Sequence, residues 1–135
     1  MKELRITAED RNIDAVNDFI HSCLPSDCDD MFLYKIDLAV EEIFVNISHY
    51  AYQPNVGEAW ISASFEDNVL TIIFKDKGKE FNPIAKADPD ITLSAEERDI
   101  GGLGIFLTKK FMDSVEYEYK DNQNILTIRK AIVQA

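Results

Sequence analysis

The apolar and polar positions of the chain alternate in five short segments and recur with a helical period in three longer ones. Alternation, or a run of β-branched and aromatic residues, is typical of strands. It predicts five of them: Lys2–Thr7, Glu58–Phe65, Val69–Lys75, Ser114–Lys120 and Ile125–Ile132. Apolar residues three and four positions apart are typical of amphipathic helices. They predict three: Asp10–Leu24, Met31–Tyr52, and a shorter one from Gly102 or Leu103 to Met112.

Prolines and polar turns separate these elements. Pro25 and Pro54 end the first two helices, because proline cannot continue a helix. The segments 66–68 and 121–124 are short and polar, which predicts two hairpin turns. No period is visible over residues 76–99, and a loop longer than about 12 to 15 residues is usually a functional lid or disordered. The order β, α, α, β, β, loop, α, β, β predicts an α/β (α+β) two-layer sandwich, with helices over a mixed, mostly antiparallel sheet.

Charge is distributed unevenly along the chain. Its 135 residues, enough for a single domain over 1–135, include 14 basic and 25 acidic side chains, a net charge of −11. This excess of acid argues against a nucleic-acid partner, since such binding relies on Lys and Arg. Residues 1–74 hold 4 basic and 14 acidic side chains, whereas residues 75–110 hold 7 of each and four of the five glycines. Clustered glycines in a neutral segment suit a backbone-lined phosphate site or ordinary turns.

Targeting signals and metal motifs are weak. We expect a cytoplasmic protein with no membrane partner, because no export signal is visible and no apolar run approaches the ~20 residues of a membrane helix. Cys23 and Cys28, together with His21 and His49, could supply zinc ligands, but their spacing departs from known zinc patterns. Reduced, partly buried thiols are the preferred interpretation.

The long predicted helix carries a first candidate motif. Glu42 and Asn46 are four positions apart and therefore share one face of that helix. A carboxylate and an amide in this arrangement could orient a nucleophile and ligate Mg²⁺, which prefers oxygen ligands. The alternative is an ordinary solvated polar stripe.

Two glycine-containing motifs follow. Asp76 and Gly78 come directly after a strand, where a carboxylate could accept a hydrogen bond from an exocyclic amine and glycine leaves space for a flat ring; Asp-x-Gly is also a common turn. The segment 101–104 is Gly-Gly-Leu-Gly and opens an apolar helix. Its first-turn N–H groups have no intrahelical partner, so it predicts either an anion site or a hinge.

Taken in order, these three motifs resemble the N, G1 and G2 boxes of the GHKL ATPase superfamily. They read Glu42-x-x-x-Asn46, Asp76-x-Gly78-x-x-Phe81-Asn82-Pro83 and Gly101-Gly102-x-Gly104-Ile105. With residues 51–52, 112–117 and 124–128, the match covers nearly the whole chain and is similar to the small anti-sigma-factor serine/threonine kinases. The resemblance implies the Bergerat fold of that superfamily.

The resemblance also implies roles for individual residues. Asn46 would ligate a Mg²⁺ ion bridging the ATP phosphates, and Glu42 would be the general base for the attacking hydroxyl. Asp76 would bind the adenine amino group, with Gly78 packed by the ring and Thr127 near the same water-linked contact. The other implied ATP-binding residues lie in the G1 box, in a lid over residues 84–100 and in the phosphate-holding G2 box: Phe81, Arg98, Gly101, Gly102, Leu103, Gly104 and Ile105.

Partners follow from the same resemblance. In such a family the substrate is a Ser or Thr of a small STAS-domain anti-anti-sigma protein, a sigma factor competes for binding, and homodimers are usual. Two positions depart from the family pattern: Tyr50 stands where His is frequent, with His49 one residue earlier, and Asn82 stands where Asp is common. These changes bear on substrate and partner more than on ATP. The alternative function is a nucleotide-gated protein that sequesters a partner without kinase turnover.

Overall fold

A computed structural model describes residues 1–85 and 102–132 of the chain. Eight principal elements follow one another in the predicted order: β1 (Lys2–Thr7), α1 (Ile13–His21), α2 (Asp30–Asn46), β2 (Glu58–Glu66), β3 (Val69–Asp76), α3 (Gly102–Phe111), β4 (Ser114–Lys120) and β5 (Gln123–Ala131). Three short turns of helix accompany them: a 3-10 turn at Asp10–Asn12, a π-helical turn at Ile47–Ala51 and a 3-10 turn at Pro83–Ala85.

The five strands form one sheet in the order β1-β2-β3-β5-β4. The predicted two-layer α+β fold is confirmed, and each pairing between the described strands is antiparallel, with no parallel pair among them. Two hairpins build most of the sheet, β2–β3 and β4–β5. Their turn residues Asp67, Asn68, Asp121 and Asn122 all have positive φ, which is the requirement of a tight two-residue hairpin.

One face of the sheet packs against the helices. Along β3 the side chains of Leu70, Ile72 and Phe74 are buried while their neighbours are half-buried, as strand alternation requires. They share a single core with α2, whose Ile36 and Val40 are almost fully enclosed. This burial holds the end of α2 over the ends of β3 and β5. None of the helices in the described part of the chain is long and apolar enough to cross a membrane.

The structure changes two of the predicted boundaries near that end. The α-helix predicted as far as Tyr52 ends at Asn46, and the chain continues as the π-helical turn. The predicted four-residue turn at 121–124 is a two-residue turn, because Asp121 and Asn122 both take the left-handed conformation. Asn124 therefore lies inside β5, where it is buried.

Candidate functional site

A cavity of about 440 Å³ opens where α2 and its π-helical turn meet the ends of β3, β4 and β5. Most of its wall is apolar, with Ile43, Phe74 and Leu126 among the lining side chains. Two of the polar lining residues, Asn46 and Asp76, come from separate sequence motifs. A concave apolar site with a few polar groups is what small-ligand recognition requires.

Asp76 is the buried polar group at one end of the cavity, with only 5% of its surface exposed. Its Oδ1 accepts hydrogen bonds from the backbone N–H of Gly78 at 2.9 Å and from Nδ2 of Asn124 at 2.9 Å. Its Oδ2 accepts no hydrogen bond from any residue of the described ranges. Burial raises the pKa of Asp76, while the hydrogen bonds from Asn124 and Gly78 oppose that rise.

Asn124 connects Asp76 to the loop that follows β3. Besides its bond to Asp76, Nδ2 donates to the carbonyl oxygen of Lys79 at 2.7 Å. Its Oδ1 accepts from the backbone N–H of Phe81 at 3.0 Å and from the hydroxyl of Tyr117 at 2.5 Å. The sequence argument did not select Asn124 as a site residue. It placed Asn124 at the end of a predicted turn and at the start of the matched segment 124–128.

Gly78 has a packing reason that differs from the predicted one. A Cβ at this position would overlap the backbone carbonyl of Ala51, and the next residue, Lys79, donates its backbone N–H to that same carbonyl at 2.9 Å. Gly78 itself does not line the cavity. The glycine thus allows the loop after β3 to lie directly against the π-helical turn.

Tyr52 makes a second connection between these segments. Its hydroxyl donates to the carbonyl oxygen of Glu58 at 2.6 Å and accepts from the backbone N–H of Lys77 at 2.8 Å. The residue after the π-helical turn, the start of β2 and the residue after β3 are therefore joined at one phenol. Burial is the main reason that the pKa of Tyr52 is raised, which further favours the protonated phenol that donates to Glu58.

The two polar residues of the α2 motif differ in position. Asn46 is the last residue of α2 and lines the cavity. Glu42 lies one turn earlier, is half-buried and is not among the cavity-lining residues. Burial, followed by the nearby charge of Glu41, raises the pKa of Glu42. A raised pKa makes a carboxylate a better proton acceptor.

Thr127 is not brought to the cavity, contrary to the role implied for it. In the β3–β5 register, Asp76 pairs with Asn124, Phe74 with Leu126, and Ile73 with Thr127. Because side chains alternate between the two faces of a sheet, Thr127 lies on the face opposite Asn124 and Leu126. Asn124, and not Thr127, is the β5 residue whose side chain contacts Asp76.

The remaining predicted residues divide into three groups. Phe81 and Ile105 line the cavity, Phe81 half-exposed and Ile105 buried. Gly102, Leu103 and Gly104 form the first turn of α3, as predicted. Arg98 and Gly101 lie outside the described residues, as does the predicted lid except for its first two residues, which belong to the 3-10 turn.

The π-helical turn directs the neighbouring side chains of His49 and Tyr50 to different places. Tyr50, which stands where His is frequent in the family, lines the cavity together with Asn46. His49 points elsewhere, with its Nε2 2.6 Å from Oδ2 of Asp10. An extra residue in a helical turn shifts the facing of the residues after it, and such turns occur frequently at functional sites.

Comparison with known proteins defines the class to which this fold and cavity belong. Residues 6–130 match the model of the histidine kinase-like ATPase domain, and the chain belongs to that family. It is similar to the serine-protein kinase RsbW of Bacillus cereus (strain AH820), with 31% identity over 93 residues, 66% of this chain and 58% of that protein.

A second relative carries a different name. The chain is 32% identical to the anti-sigma F factor of Caldanaerobacter subterraneus subsp. tengcongensis over 83 residues, 62% of this chain and 58% of that protein. The matched regions thus span less than two thirds of the length of these relatives.

Proposed function

We propose that this chain is an ATP-dependent serine/threonine protein kinase that acts as an anti-sigma regulatory factor and phosphorylates a STAS-domain anti-anti-sigma protein. The observation that carries the proposal is that Asn46 and Asp76, from two separate motifs, line one cavity. Membership of the histidine kinase-like ATPase family and the names of the relatives support it. The proposal includes a cytoplasmic homodimer and a sigma factor as the competing partner.

Asp76 provides the base-binding end of this proposal. Its Oδ1 is occupied by two donors, so Oδ2 is the acceptor that an exocyclic amine could use. The adenine amino group is such a donor. The apolar wall formed by Ile47, Phe74 and Leu126 suits the faces of a purine ring.

The phosphate-binding end is assigned to Asn46 and the G2 residues. Within residues 1–85 and 102–132 no three His, Cys, Asp or Glu side chains are grouped as a metal site. Mg²⁺ does not need a cluster of this kind, since it commonly takes few protein ligands and completes its coordination shell with phosphates and water. The Asn46 carboxamide oxygen is a suitable hard ligand, and the ion would neutralise charge on the phosphates. Backbone N–H groups in the segment 101–104, with Arg98, would hold the phosphates.

Glu42 is the proposed general base. The hydroxyl oxygen of the substrate Ser or Thr forms a bond to the γ-phosphorus, and the bond from that phosphorus to the β–γ bridging oxygen breaks. ADP leaves with the electron pair, and the hydroxyl proton passes to Glu42. The raised pKa of Glu42 favours this role. Most of the rate enhancement would come from positioning and charge stabilisation.

A nucleotide-gated binding protein without turnover is the second candidate. It is favoured by one observation: Glu42 does not line the cavity in which Asn46 and Asp76 meet. In this case nucleotide occupancy would control capture of the partner, and no phosphoryl group would be transferred.

Transfer of radiolabel from [γ-³²P]ATP to candidate STAS-domain proteins tests the first candidate. We expect labelling by the wild type, at least about a hundredfold less by Glu42→Gln, and no change in Glu118→Gln, whose carboxylate is exposed on β4. ATP-dependent complex formation with no labelling would favour the second candidate. Absence of both labelling and MgATP binding would reject the two together.

A further inference from the structure

The Asn124 side chain uses all of its hydrogen-bonding capacity inside the protein. Its two N–H groups are directed to Asp76 Oδ1 and the Lys79 carbonyl, and its oxygen accepts from the Phe81 N–H and the Tyr117 hydroxyl. If the amide were flipped, its oxygen would face the Lys79 carbonyl and its NH₂ group would face the Phe81 N–H, and both contacts would be unfavourable. These partners therefore fix the orientation of the amide.

This saturation determines what Asn124 and Asp76 offer to a ligand. Asn124 has no N–H left to donate into the cavity, although it is one of the lining residues. Asp76 has one oxygen held by two donors, which leaves Oδ2 as an acceptor. Both groups are almost fully buried apart from the cavity, so a ring that fills the cavity would exclude the water that could otherwise supply a missing donor.

We infer that Asn124 and Tyr117 are positioning residues that set the base specificity of the site, selecting a 6-aminopurine over a 6-oxopurine. This inference rests on the proposed nucleotide binding. A 6-amino group presents a donor to Asp76 Oδ2, whereas a 6-oxo group would place an acceptor against a carboxylate oxygen. A site built around one hydrogen-bonding pattern rejects the wrong pattern strongly, because buried polar groups are left unpaired.

The ionisation of Asp76 depends on the same contact. Burial raises the pKa of Asp76, and the Asn124 hydrogen bond is the largest of the interactions that oppose the rise. Without that donor the carboxyl group would take up a proton more readily. A protonated Asp76 could donate to a 6-oxo group, so loss of the Asn124 donor should weaken discrimination as well as affinity.

Calorimetric titration with ATP and GTP tests the inference in three variants. In Asn124→Asp, a second carboxylate faces Asp76, and we expect the ratio of ATP to GTP affinity to fall about tenfold to hundredfold. ATP binding by this variant should also strengthen more steeply than in the wild type as pH falls, because a proton shared by the two carboxylates replaces the amide donor. Tyr117→Phe removes one of the two donors to Asn124, and the ratio should fall about two- to fivefold.

Tyr119→Phe is the matched control, on the same strand and the same face as Tyr117. It should leave the ratio unchanged. Circular dichroism identifies a variant that has not folded, and Tyr117→Phe then decides the matter if Asn124→Asp is lost. A folded Asn124→Asp and Tyr117→Phe with wild-type ratios would overturn this inference alone. A wild type that binds neither nucleotide would overturn both the inference and the proposed function.

Discussion

His49 Nε2 lies 2.6 Å from Asp10 Oδ2, and this pair joins the π-helical turn after α2 to the 3-10 turn before α1. The hydrogen bond from His49, followed by one from Ser48, lowers the pKa of Asp10. A lowered carboxyl pKa means that the pair stabilises the fold above the ordinary pKa of Asp and that this contribution disappears as pH falls through the lowered value.

Asp10→Asn should therefore reduce stability at neutral pH by less than about 1 kcal/mol, because both partners are largely exposed. The loss should vanish in acid, where the Asp10 carboxylate is protonated. Urea unfolding at several pH values measures it. Asp18→Asn, an exposed acid on α1, is the control for the removal of one acidic side chain. A loss in Asp10→Asn that persists in acid would contradict the role given to the carboxylate charge.

Gly78→Ala tests the close approach between the loop after β3 and the π-helical turn. A methyl group there meets the Ala51 backbone, which cannot rotate away. We expect a loss of about 1 to 3 kcal/mol in the free energy of unfolding, typical of overpacking. Lys79→Ala, one residue later, keeps the backbone hydrogen bond to Ala51 and should cost much less in the same unfolding measurement. Equal losses in the two variants would show that the methyl group is accommodated.

Tyr52→Phe removes a hydroxyl that joins Glu58 to Lys77. The expected loss is about 1 to 2 kcal/mol, because two backbone groups lose a partner. Thermal unfolding measures this loss, with Tyr34→Phe as the control, since Tyr34 is 60% exposed on α2. Faster amide exchange at Lys77 in Tyr52→Phe would locate the effect. Unchanged exchange there would argue against the role given to this phenol.

Asp76→Asn separates stability from binding. Because burial raises the pKa of Asp76, the folded protein loses stability as the pH rises above the ordinary pKa of an aspartate and the buried carboxyl group ionises. The neutral amide of Asn avoids this loss. Without nucleotide, the melting temperature of Asp76→Asn should equal or exceed that of the wild type near pH 7. MgATP at a hundredfold excess over its Kd should stabilise the wild type by about 2.7 kcal/mol and the variant far less. Equal MgATP stabilisation of both proteins would remove Asp76 from the binding site.

Sequence patterns predicted the order of the eight principal elements, because each carries either a period or a composition typical of its type. Residues 69–75, for example, are rich in β-branched and aromatic residues and were correctly predicted as a strand. Position relative to a sheet face was harder, since it depends on where a strand begins. The two-residue turn at Asp121 and Asn122 places Asn124 inside β5. The start of the strand thereby determines that Thr127 lies on the sheet face opposite Asn124.

Asn124 could not be found from the pattern for a related reason. Its four partners come from β3, β4 and the loop after β3, and only the assembled sheet brings them together. The π-helical turn is likewise invisible to a 3.6-residue period. Asn46 and Asp76, in contrast, were identified from local motifs, and the fold brings both to the cavity.

The hydrogen bond from Lys79 to the Ala51 carbonyl has a consequence for ligand size. It joins backbone to backbone, so it restrains the segment after Asp76 against the segment after Asn46. A ligand that contacts both side chains must match the separation that this hydrogen bond helps to maintain. A molecule that is too short to reach Asn46 gains only the contacts around Asp76.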